Sequence, residues 1–255
     1  GTFSDGKLTT GIKDPHIHQV LTSFVAAGAP EDIAYSQKPH IGTDILRKVV
    51  VALRKRIGAA GGEIHFNTQM TGLEQNENGE LMSVELKTGE KKWQHRTNAV
   101  VLALGHSARD TFRTLKDMGI PMAQKPLSIG VRLEHPQRII DQAQYGDQAG
   151  LPPASYKLSC RAQNGRGVYS FCMCPGGEVV TASTQPGMVC VNGMSNRKRD
   201  SGIANAGILV DVRTEDFPSE DVLAGVEFQE YWERRAFEYG GGRFAPPRCS
   251  FGEFR

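Results

Sequence analysis

The sequence lacks any long hydrophobic run. Its longest apolar stretches, around 49–53 and 99–105, are far shorter than the roughly 18 or more residues that a membrane-spanning helix needs. Residues 1–7 show neither the charged nor the apolar region of a signal peptide and do not begin with Met. We therefore expect a soluble protein with no membrane partner, present here as part of a longer chain.

The sequence also lacks a strong excess of positive or negative charge. Lys and Arg number 30 against 28 Asp and Glu, which leaves a formal net charge of +2. The one dense basic run, 197–199, ends at Asp200 and is typical of a solvated loop. Because nucleic-acid binding needs a strong basic patch, we expect no nucleic-acid partner.

Cysteines are few and odd in number. Five cysteines are scattered through 255 residues, unlike the framework of a disulfide-rich secreted domain, so a reducing, cytoplasmic compartment is expected. A complete G-x-G-x-x-G fingerprint and a P-loop are both absent from the sequence. Nothing local therefore identifies a nucleotide site.

The first half of the chain reads as α/β. Apolar residues at helical spacing predict a helix over 43–60, with Thr43 as N-cap and Gly61-Gly62 as its stop, and alternation predicts a strand over 63–67. Strands at 70–75, 81–88 and 91–95 flank an Asn-Gly turn and predict an antiparallel meander. The unbroken apolar run 99–105 predicts a buried parallel strand, followed by a helix over 108–118 that Ser107 caps.

The residue pattern of the sequence changes near residue 120, where we place a domain boundary. Short β-like runs separated by Gly, Pro and Asn dominate the second part, which also has a helical pattern at 219–239. The predicted strands are 127–133, 156–161, 167–173, 178–183 and 188–191. We therefore expect residues 1–120 to form an α/β part and residues 121–255 to form a β-rich part.

The most unusual local feature is Cys172-Met173-Cys174, which Pro175-Gly176-Gly177 follows. In a strand the two thiols would share one face, but the spacing differs from the C-x-x-C redox motif and no second metal-ligating pair follows. Packed or pocket-lining thiols, a reactive thiol and a metal site therefore remain open. The two glycines indicate either a plain turn or a backbone that approaches a ligand.

The histidines form no set. His16 and His18 would meet on one face of a strand, and a surface pair is favoured over a metal site. His40 and His106 each precede a predicted helix, whose free N–H groups could face an anionic ligand.

Four separated motifs resemble one family in order along the chain. They are 38–44 (KPHIGTD), 101–111 (VLALGHSARDT), 169–177 (YSFCMCPGG) and 191–195 (VNGMS). Together they are similar to a family of bacterial and plastid FAD-dependent dehydrogenases, distantly related to the two-dinucleotide-binding flavoproteins. The family's Gly-rich N-terminal loop and its C-terminal segment have no counterpart here, so we expect this chain to be the central portion of such a protein. The resemblance also makes a plastid the second possible location.

The resemblance implies a fold and a cofactor. It implies α/β plus β-rich architecture, in which part of a Rossmann-like FAD-binding domain carries an inserted, mostly antiparallel substrate or cap domain. FAD would lie against Thr68, Gln69 and Met70 and against the segment Ala103, Leu104, Gly105, His106 and Ser107, where Leu104 stands in place of the family's usual Thr.

The expected activity is hydride transfer between a small-molecule substrate and FAD, with NAD(P)H as an electron partner. Candidate catalytic residues are Cys172, Cys174 and Lys13, and candidate pocket residues are Asp14, His40, Arg132, Pro175, Gly176, Gly177 and Asn192. Two alternatives stay open: a module that binds a metabolite or partner without cofactor, and a thiol redox or metal protein that uses the two cysteines.

Overall fold

The computed structural model describes residues 2–148 and 150–254. The helices are α1 (His16–Ala26), α2 (Thr43–Ala59), α3 (Arg109–Asp117), α4 (Gln137–Tyr145) and α5 (Ala224–Tyr239), with 3₁₀ turns at Glu31–Ala34 and Thr214–Asp216. The strands are β1 (Thr68–Gln75), β2 (Leu81–Thr88), β3 (Lys91–Arg96), β4 (Leu127–Pro136), β5 (Ser159–Arg161), β6 (Gly167–Cys174), β7 (Gly177–Ala182), β8 (Cys190–Ser195) and β9 (Ile203–Val212). The pattern predictions located most of these elements but missed β9, α1 and α4.

The largest sheet has the strand order β4-β9-β6-β5, and every pair in it is antiparallel. Strand β9 is central although no periodic pattern marked it, because it is buried and rich in small residues such as Ala204, Ala206 and Gly207. A β-bulge interrupts its pairing with β6, where Cys172 and Met173 lie between the paired positions Phe171 and Cys174. The bulge bends β6 at the two cysteines.

A two-stranded ribbon, β7-β8, follows directly from β6. Gly177 pairs with Ser195 at one end of the ribbon, and Ala182 pairs with Cys190 at the other. The connection between β6 and β7 is the short turn at Pro175 and Gly176. The ribbon therefore begins immediately beside the cysteine pair.

The meander β1-β2-β3 is confirmed as a separate antiparallel sheet. Its first turn forms as the Asn-Gly pair predicts: the Asn76 side-chain oxygen accepts the N–H groups of Asn78 and Glu80, and Gly79 takes φ +80°.

The first hydrophobic cluster lies between α1, α2 and the segment that joins them. Its buried members are Ala27, Ala29, Ile33, Ile41 and Val49. The N-terminal segment runs antiparallel to the end of the joining segment: the Leu8 N–H donates to the Pro39 carbonyl, and the Ile41 N–H donates to the Gly6 carbonyl. This pairing fixes the position of residues 5–8.

Helices α3 and α5 are joined by a buried ion pair. Arg109 is fully buried and makes two hydrogen bonds to the Glu233 carboxylate, at 2.9 and 2.7 Å. Its Nη2 also donates to Gln229 at 3.1 Å, while its Nε has no partner among the described residues. The beginning of α3 is therefore anchored in the second part of the chain.

Two predicted strands are wrong. Residues 63–67 and 99–105 form no strand, and Val101 in the second run is 92% exposed. A β-strand needs a neighbour to accept and donate its ladder hydrogen bonds, and the sheets of the described chain contain no strand beside either segment. Apolar composition alone could not supply that partner.

Several local predictions also need correction. The N-cap of α2 is Gly42, and the Thr43 hydroxyl donates to the Thr2 carbonyl. Ser107 does not cap α3, whose N-cap is Ala108. His16 and His18 lie on helix α1, not on a strand.

The basic run 197–199 is not a merely solvated loop. Arg197 pairs with Asp32 at 2.5 Å and Arg199 pairs with Asp5 at 2.7 Å. These two ion pairs tie the turn after β8 to the first part of the chain, a long-range relationship that charge patterning cannot show.

Candidate functional site

The bulge in β6 places the two neighbouring cysteines in different environments. Cys174 is fully buried, whereas Cys172 is partly exposed. Cys172 has φ +45°, one of three non-glycine residues in the described chain with positive φ. Such a conformation costs about 1–2 kcal/mol and occurs preferentially at functional positions.

Lys7 reaches both cysteine sulfurs. Its Nζ lies 3.4 Å from Cys174 Sγ and 3.7 Å from Cys172 Sγ. Met173 packs instead against Ala204 and Ala206. The prediction that the two thiols share one face and Met173 the other is thus confirmed.

Asp5 holds Lys7 in place. The Asp5 carboxylate is buried and lies 3.2 Å from Lys7 Nζ, and it accepts hydrogen bonds from Arg199 and from the Ser195 hydroxyl. Burial alone would raise the pKa of Asp5, but the Arg199 hydrogen bond and the charges of Lys7 and Arg199 hold it below its ordinary value. The carboxylate is therefore ionised and fixes the ammonium group beside the sulfurs.

Arg132, on β4, approaches the cysteines from the large sheet. Its Nη2 donates to the Cys172 carbonyl at 2.8 Å and lies 3.6 Å from Cys174 Sγ, while its Nε donates to the Asn205 side-chain oxygen at 2.7 Å. A Cβ on Gly193 would lie 2.2 Å from Arg132 Nη2, so only glycine leaves room for this guanidinium.

Asn205 is a buried amide beside Cys174. It lies opposite Cys174 in the β6-β9 ladder and is fully buried, and its Nδ2 has no hydrogen-bond partner in the part of the chain that the structure describes. An unpaired buried donor costs roughly 1–3 kcal/mol, so it marks a place where a further acceptor would be stabilised.

The electrostatics of the cluster separate the two thiols. A hydrogen bond from the Cys174 side chain lowers the pKa of Cys172 to about 5, helped by the charges of Lys7 and Arg132 against the opposing effect of burial. The same hydrogen bond and burial raise the pKa of Cys174. The arrangement thus favours the thiolate form at Cys172 and the thiol form at Cys174.

The predicted glycine turn lies at the edge of this cluster. The Gly176 N–H donates to the Gln137 side chain at 2.9 Å, and a Cβ on Gly176 would lie 1.7 Å from the Arg199 carbonyl oxygen. Pro175 and Gly177 are buried as well. The turn therefore packs closely against the backbone at residue 199. This contact brings Arg199, the ion-pair partner of Asp5, next to the cysteines.

The remaining predicted pocket residues fall into two groups. His40 lies near the cluster, because its backbone pairs with that of Lys7 and its ring contacts the Arg197 carbonyl at 3.2 Å. Burial and the Arg199 charge lower the pKa of His40. Asn192 lies in β8 and accepts the N–H of Gly193, the residue that contacts Arg132.

Lys13 and Asp14 lie in an exposed turn before α1. Asp14 Oδ1 accepts the backbone N–H and contacts the ring Nδ1 of His16, both at 2.8 Å. In residues 2–148 and 150–254 no hydrogen bond or ion pair joins Lys13 or Asp14 to the cysteines. The lysine that the structure brings to the sulfurs is Lys7, which no local pattern marks because its partners are distant in the chain.

The two segments expected to bind FAD lie close to each other. Gln69, on β1, donates to Asp110 at the start of α3 at 2.5 Å, and Thr68 contacts Thr88 across the meander at 2.8 Å. Ala103, Gly105, His106 and Ser107 are exposed, and Gly105 has φ +65° with open space around its Cβ position.

Within the described chain, no group of three or more His, Cys, Asp or Glu side chains could hold a metal ion, and no helix has the length and apolarity to cross a membrane.

Two family models match the chain, each over just over half of its length. One is described as "FAD dependent oxidoreductase" and matches residues 46–183; the other, "FAD-dependent protein, C-terminal domain-like", matches residues 126–255. The chain belongs to the FAD-dependent oxidoreductases. FAD is therefore the cofactor, as the resemblance implied, and the class of α/β plus mostly antiparallel β structure with a Rossmann-like FAD-binding part is confirmed.

One curated relative of this FAD-dependent oxidoreductase is an uncharacterized protein of Clostridium beijerinckii. It is 43% identical over 258 residues, an alignment that covers 100% of this chain and 48% of the relative. The chain thus spans about half the length of the curated relative it matches. A flavin-dependent brominase Bmp2 triple mutant is similar with a TM-score of 0.34 and 14% identity over 79% of this chain and 42% of that chain.

The segments that the resemblance predicts to bind FAD have features that fit the cofactor. The run 99–104 is apolar yet exposed, and its backbone groups make no strand pairing in the described chain. The backbone of Ala103 to Ser107 and the side chain of Thr68 would supply polar contacts, because most of residues 103–107 are exposed and Gln69, beside Thr68, contacts Asp110 at the start of α3.

Proposed function

We propose that this FAD-dependent oxidoreductase transfers hydride between a small-molecule substrate and FAD, and that the substrate binds beside Lys7, Arg132 and the two cysteines. FAD, when bound, accepts or donates the hydride, while the protein supplies orientation and electrostatics. The observation that carries the proposal is the convergence of Lys7 and Arg132 on one sulfur, from the N-terminal segment and from β4.

The proposal divides the chain into two functional parts. Residues 1–120 would contribute to FAD binding through Thr68, Gln69, Met70 and the segment 103–107, and residues 121–255 would form the β-rich substrate part. Anchoring of α3 by Arg109 supports this division of labour, because it links the segment 103–107 to the second part through the Glu233 ion pair.

Each residue of the pocket has a defined task. Arg132 and Lys7 would bind a polar or anionic group of the substrate, since both are donors only and carry positive charge. Asp5 would keep Lys7 oriented, and Asn205 would hold the Arg132 guanidinium in place through its side-chain oxygen. His40, Asn192 and the turn 175–177 would form the walls.

The test uses the purified protein with FAD bound and NADPH or NADH as the reductant. Loss of the visible flavin bands under anaerobic conditions is the expected result, and Arg132→Leu should raise KM more than it lowers kcat. Flavin that neither nucleotide reduces would contradict an NAD(P)H partner. Unchanged kinetics of Arg132→Leu would remove the pocket from the proposal while leaving the flavin chemistry in place.

A further inference from the structure

We propose that Cys172 and Cys174 form a thiol–disulfide exchange site, in which Cys172 attacks a small disulfide and Cys174 resolves the mixed disulfide. This activity goes beyond hydride transfer to flavin and does not require the cofactor. The inference rests on the geometry of the β6 bulge, on the different exposure of the two sulfurs and on the groups that surround them.

The bulge gives the two sulfurs a common neighbour. In the bulge, Cys172 and Met173 stand opposite Ala206 alone, and the positive φ of Cys172 accompanies this extra residue. Both sulfurs consequently lie within 3.7 Å of Lys7 Nζ, and Cys174 Sγ contacts the Cys172 carbonyl at 3.3 Å. The shared ammonium group and the contact with the Cys172 carbonyl place the Cys174 sulfur on the side of the strand from which it could reach a mixed disulfide at Cys172.

Exposure assigns the two roles. Cys172 is partly exposed and accessible to a small disulfide, whereas Cys174 is fully buried and accessible only to its neighbour. In an exchange reaction the accessible thiolate attacks first and the protected thiol resolves. The structure thus distinguishes attacking from resolving cysteine without reference to any relative.

The charges around the pair favour a thiolate at Cys172. Lys7 from the N-terminal segment and Arg132 from β4 face the sulfurs, and Arg199 and Asp5 lie behind Lys7. Two cations next to the sulfurs and one carboxylate behind them leave a positive local field. The low pKa of Cys172, about 5, agrees with this arrangement.

The buried amide of Asn205 is the second independent observation. Its unpartnered Nδ2–H lies across the ladder from Cys174. During resolution Cys174 must become a thiolate, and a free N–H donor beside it would stabilise that charge. No other described contact uses this donor.

The exchange balances as two steps. The Cys172 thiolate attacks one sulfur of a disulfide RSSR, a bond forms between Cys172 and that sulfur, and RS⁻ leaves. Cys174 then loses its proton to RS⁻ and attacks Cys172, which forms the Cys172–Cys174 disulfide and releases the second RS⁻. The protein dithiol is oxidised by two electrons and RSSR is reduced to two thiols, so no further oxidant is needed.

The experiment uses oxidised glutathione as the probe, at about pH 6, where few ordinary thiols are ionised. Exposed Cys160 and Cys249 are first changed to Ser, which removes their background reaction. In this background the protein should gain no glutathione, and its intact mass should fall by the mass of two hydrogen atoms. Cys174→Ser should keep one glutathione on Cys172. Cys172→Ser should react about tenfold more slowly than its parent. At this pH the larger thiolate fraction of Cys172 outweighs its lower intrinsic nucleophilicity.

Circular dichroism of each variant shows whether it is folded, and only folded variants are compared. The background protein keeps Cys172, Cys174 and the half-buried Cys190, so the modified residue is located by peptide mapping. Stable glutathionylation of Cys172 in this protein would overturn the resolving role of Cys174. Equal rates for Cys172→Ser and its parent would overturn the attacking role of Cys172. Since flavin takes no part in the assay, either result leaves the proposed hydride transfer untouched.

Discussion

Lys7 Nζ lies 3.4 Å from Cys174 Sγ, although 167 positions separate the two residues in the sequence. Pairing of residues 5–8 with 39–42 carries the lysine to this place, and the bulge of β6 carries the sulfur. The ion pairs of Arg197 with Asp32 and of Arg199 with Asp5 hold the two parts of the chain together around this contact. The candidate site thus exists only in the folded chain.

Removal of the Lys7 charge should weaken the acidity of Cys172. In Lys7→Met, the pKa of Cys172 should rise above about 5, because the ammonium group stabilises the thiolate. The rate of Cys172 alkylation by iodoacetamide, followed against pH, reports this midpoint. Lys125→Met, at an exposed position between α3 and β4, is the control and should leave the profile unchanged. An unmoved midpoint in Lys7→Met would show that the lysine does not act on the sulfurs.

The same substitution separates two candidate lysines for the flavin reaction. Lys7→Met should raise KM for the oxidisable substrate, since Lys7 lies in the proposed pocket beside the cysteines, whereas Lys13→Met should have a smaller effect because Lys13 is exposed before α1. Steady-state kinetics of both variants decide between them. A larger effect at Lys13 would favour the residue that the sequence indicated.

Asp5 should make stability dependent on acid pH. Its pKa is lowered in the folded protein from an ordinary value of 3.8, so its stabilising contribution is present above that value and is lost as pH falls through the lower folded pKa. Asp5→Asn should cost roughly 3 kcal/mol at neutral pH, because Arg199 and Lys7 lose a buried partner. Urea unfolding at neutral pH and at acid pH measures both effects.

For the same experiment Asp117→Asn is the matched control, because Asp117 is exposed at the end of α3. The difference in unfolding free energy between parent and Asp5→Asn should shrink at low pH, where the parent carboxylate is protonated. A difference that stays constant down to the lowest pH would mean that the ionised form of Asp5 contributes nothing.

Arg109 should be far more important for stability than its neighbour Arg113. Arg109→Met leaves the mostly buried Glu233 without its partner and should cost about 3–5 kcal/mol. Arg113 pairs with Glu230 at 2.6 Å but is 46% exposed, so Arg113→Met should cost less than about 1 kcal/mol. Chemical denaturation gives both values, and equal losses would contradict a structural role for the buried pair.

Gly176 tests the close approach between the β6-β7 turn and residue 199. Gly176→Ala would place a Cβ 1.7 Å from the Arg199 carbonyl oxygen at φ +52°. Gly89 has a similar φ of +59° with open space, so Gly89→Ala measures the backbone cost alone, about 1–2 kcal/mol. Thermal unfolding should show a clearly larger loss for Gly176→Ala. Equal losses would mean that the turn tolerates a side chain by a small shift.

Sequence patterns predicted those parts of the fold that depend on local rules. Helical periodicity located α2, and the Asn-Gly pair located the β1-β2 hairpin, whose turn Asn76 stabilises by itself. The strand predicted over 99–105 does not form, because a strand requires a partner strand that no local pattern reveals. Strand β9 was not predicted because the small residues of its first half, such as Ala204 and Ala206, carry little hydrophobic signal and leave only a short apolar run, 208–210, in its second half.

The candidate site was predictable only in part. Adjacent thiols on one face followed from the Cys172-Met173-Cys174 spacing, and Arg132 was named as a pocket residue. Lys7 and Asp5 could not be found, because their roles arise from pairing of distant segments and from burial of a carboxylate. Asn205 could be recognised only from its unpaired Nδ2 in the folded chain.

Anaerobic reduction of the bound flavin tests the central claim most directly. The protein with FAD bound is mixed with NADPH or NADH, and the visible flavin absorption is followed with time. We expect these bands to disappear and to return when an electron acceptor is added. Flavin bands that persist with both nucleotides and with every small-molecule donor tested would contradict hydride transfer as the function of this protein.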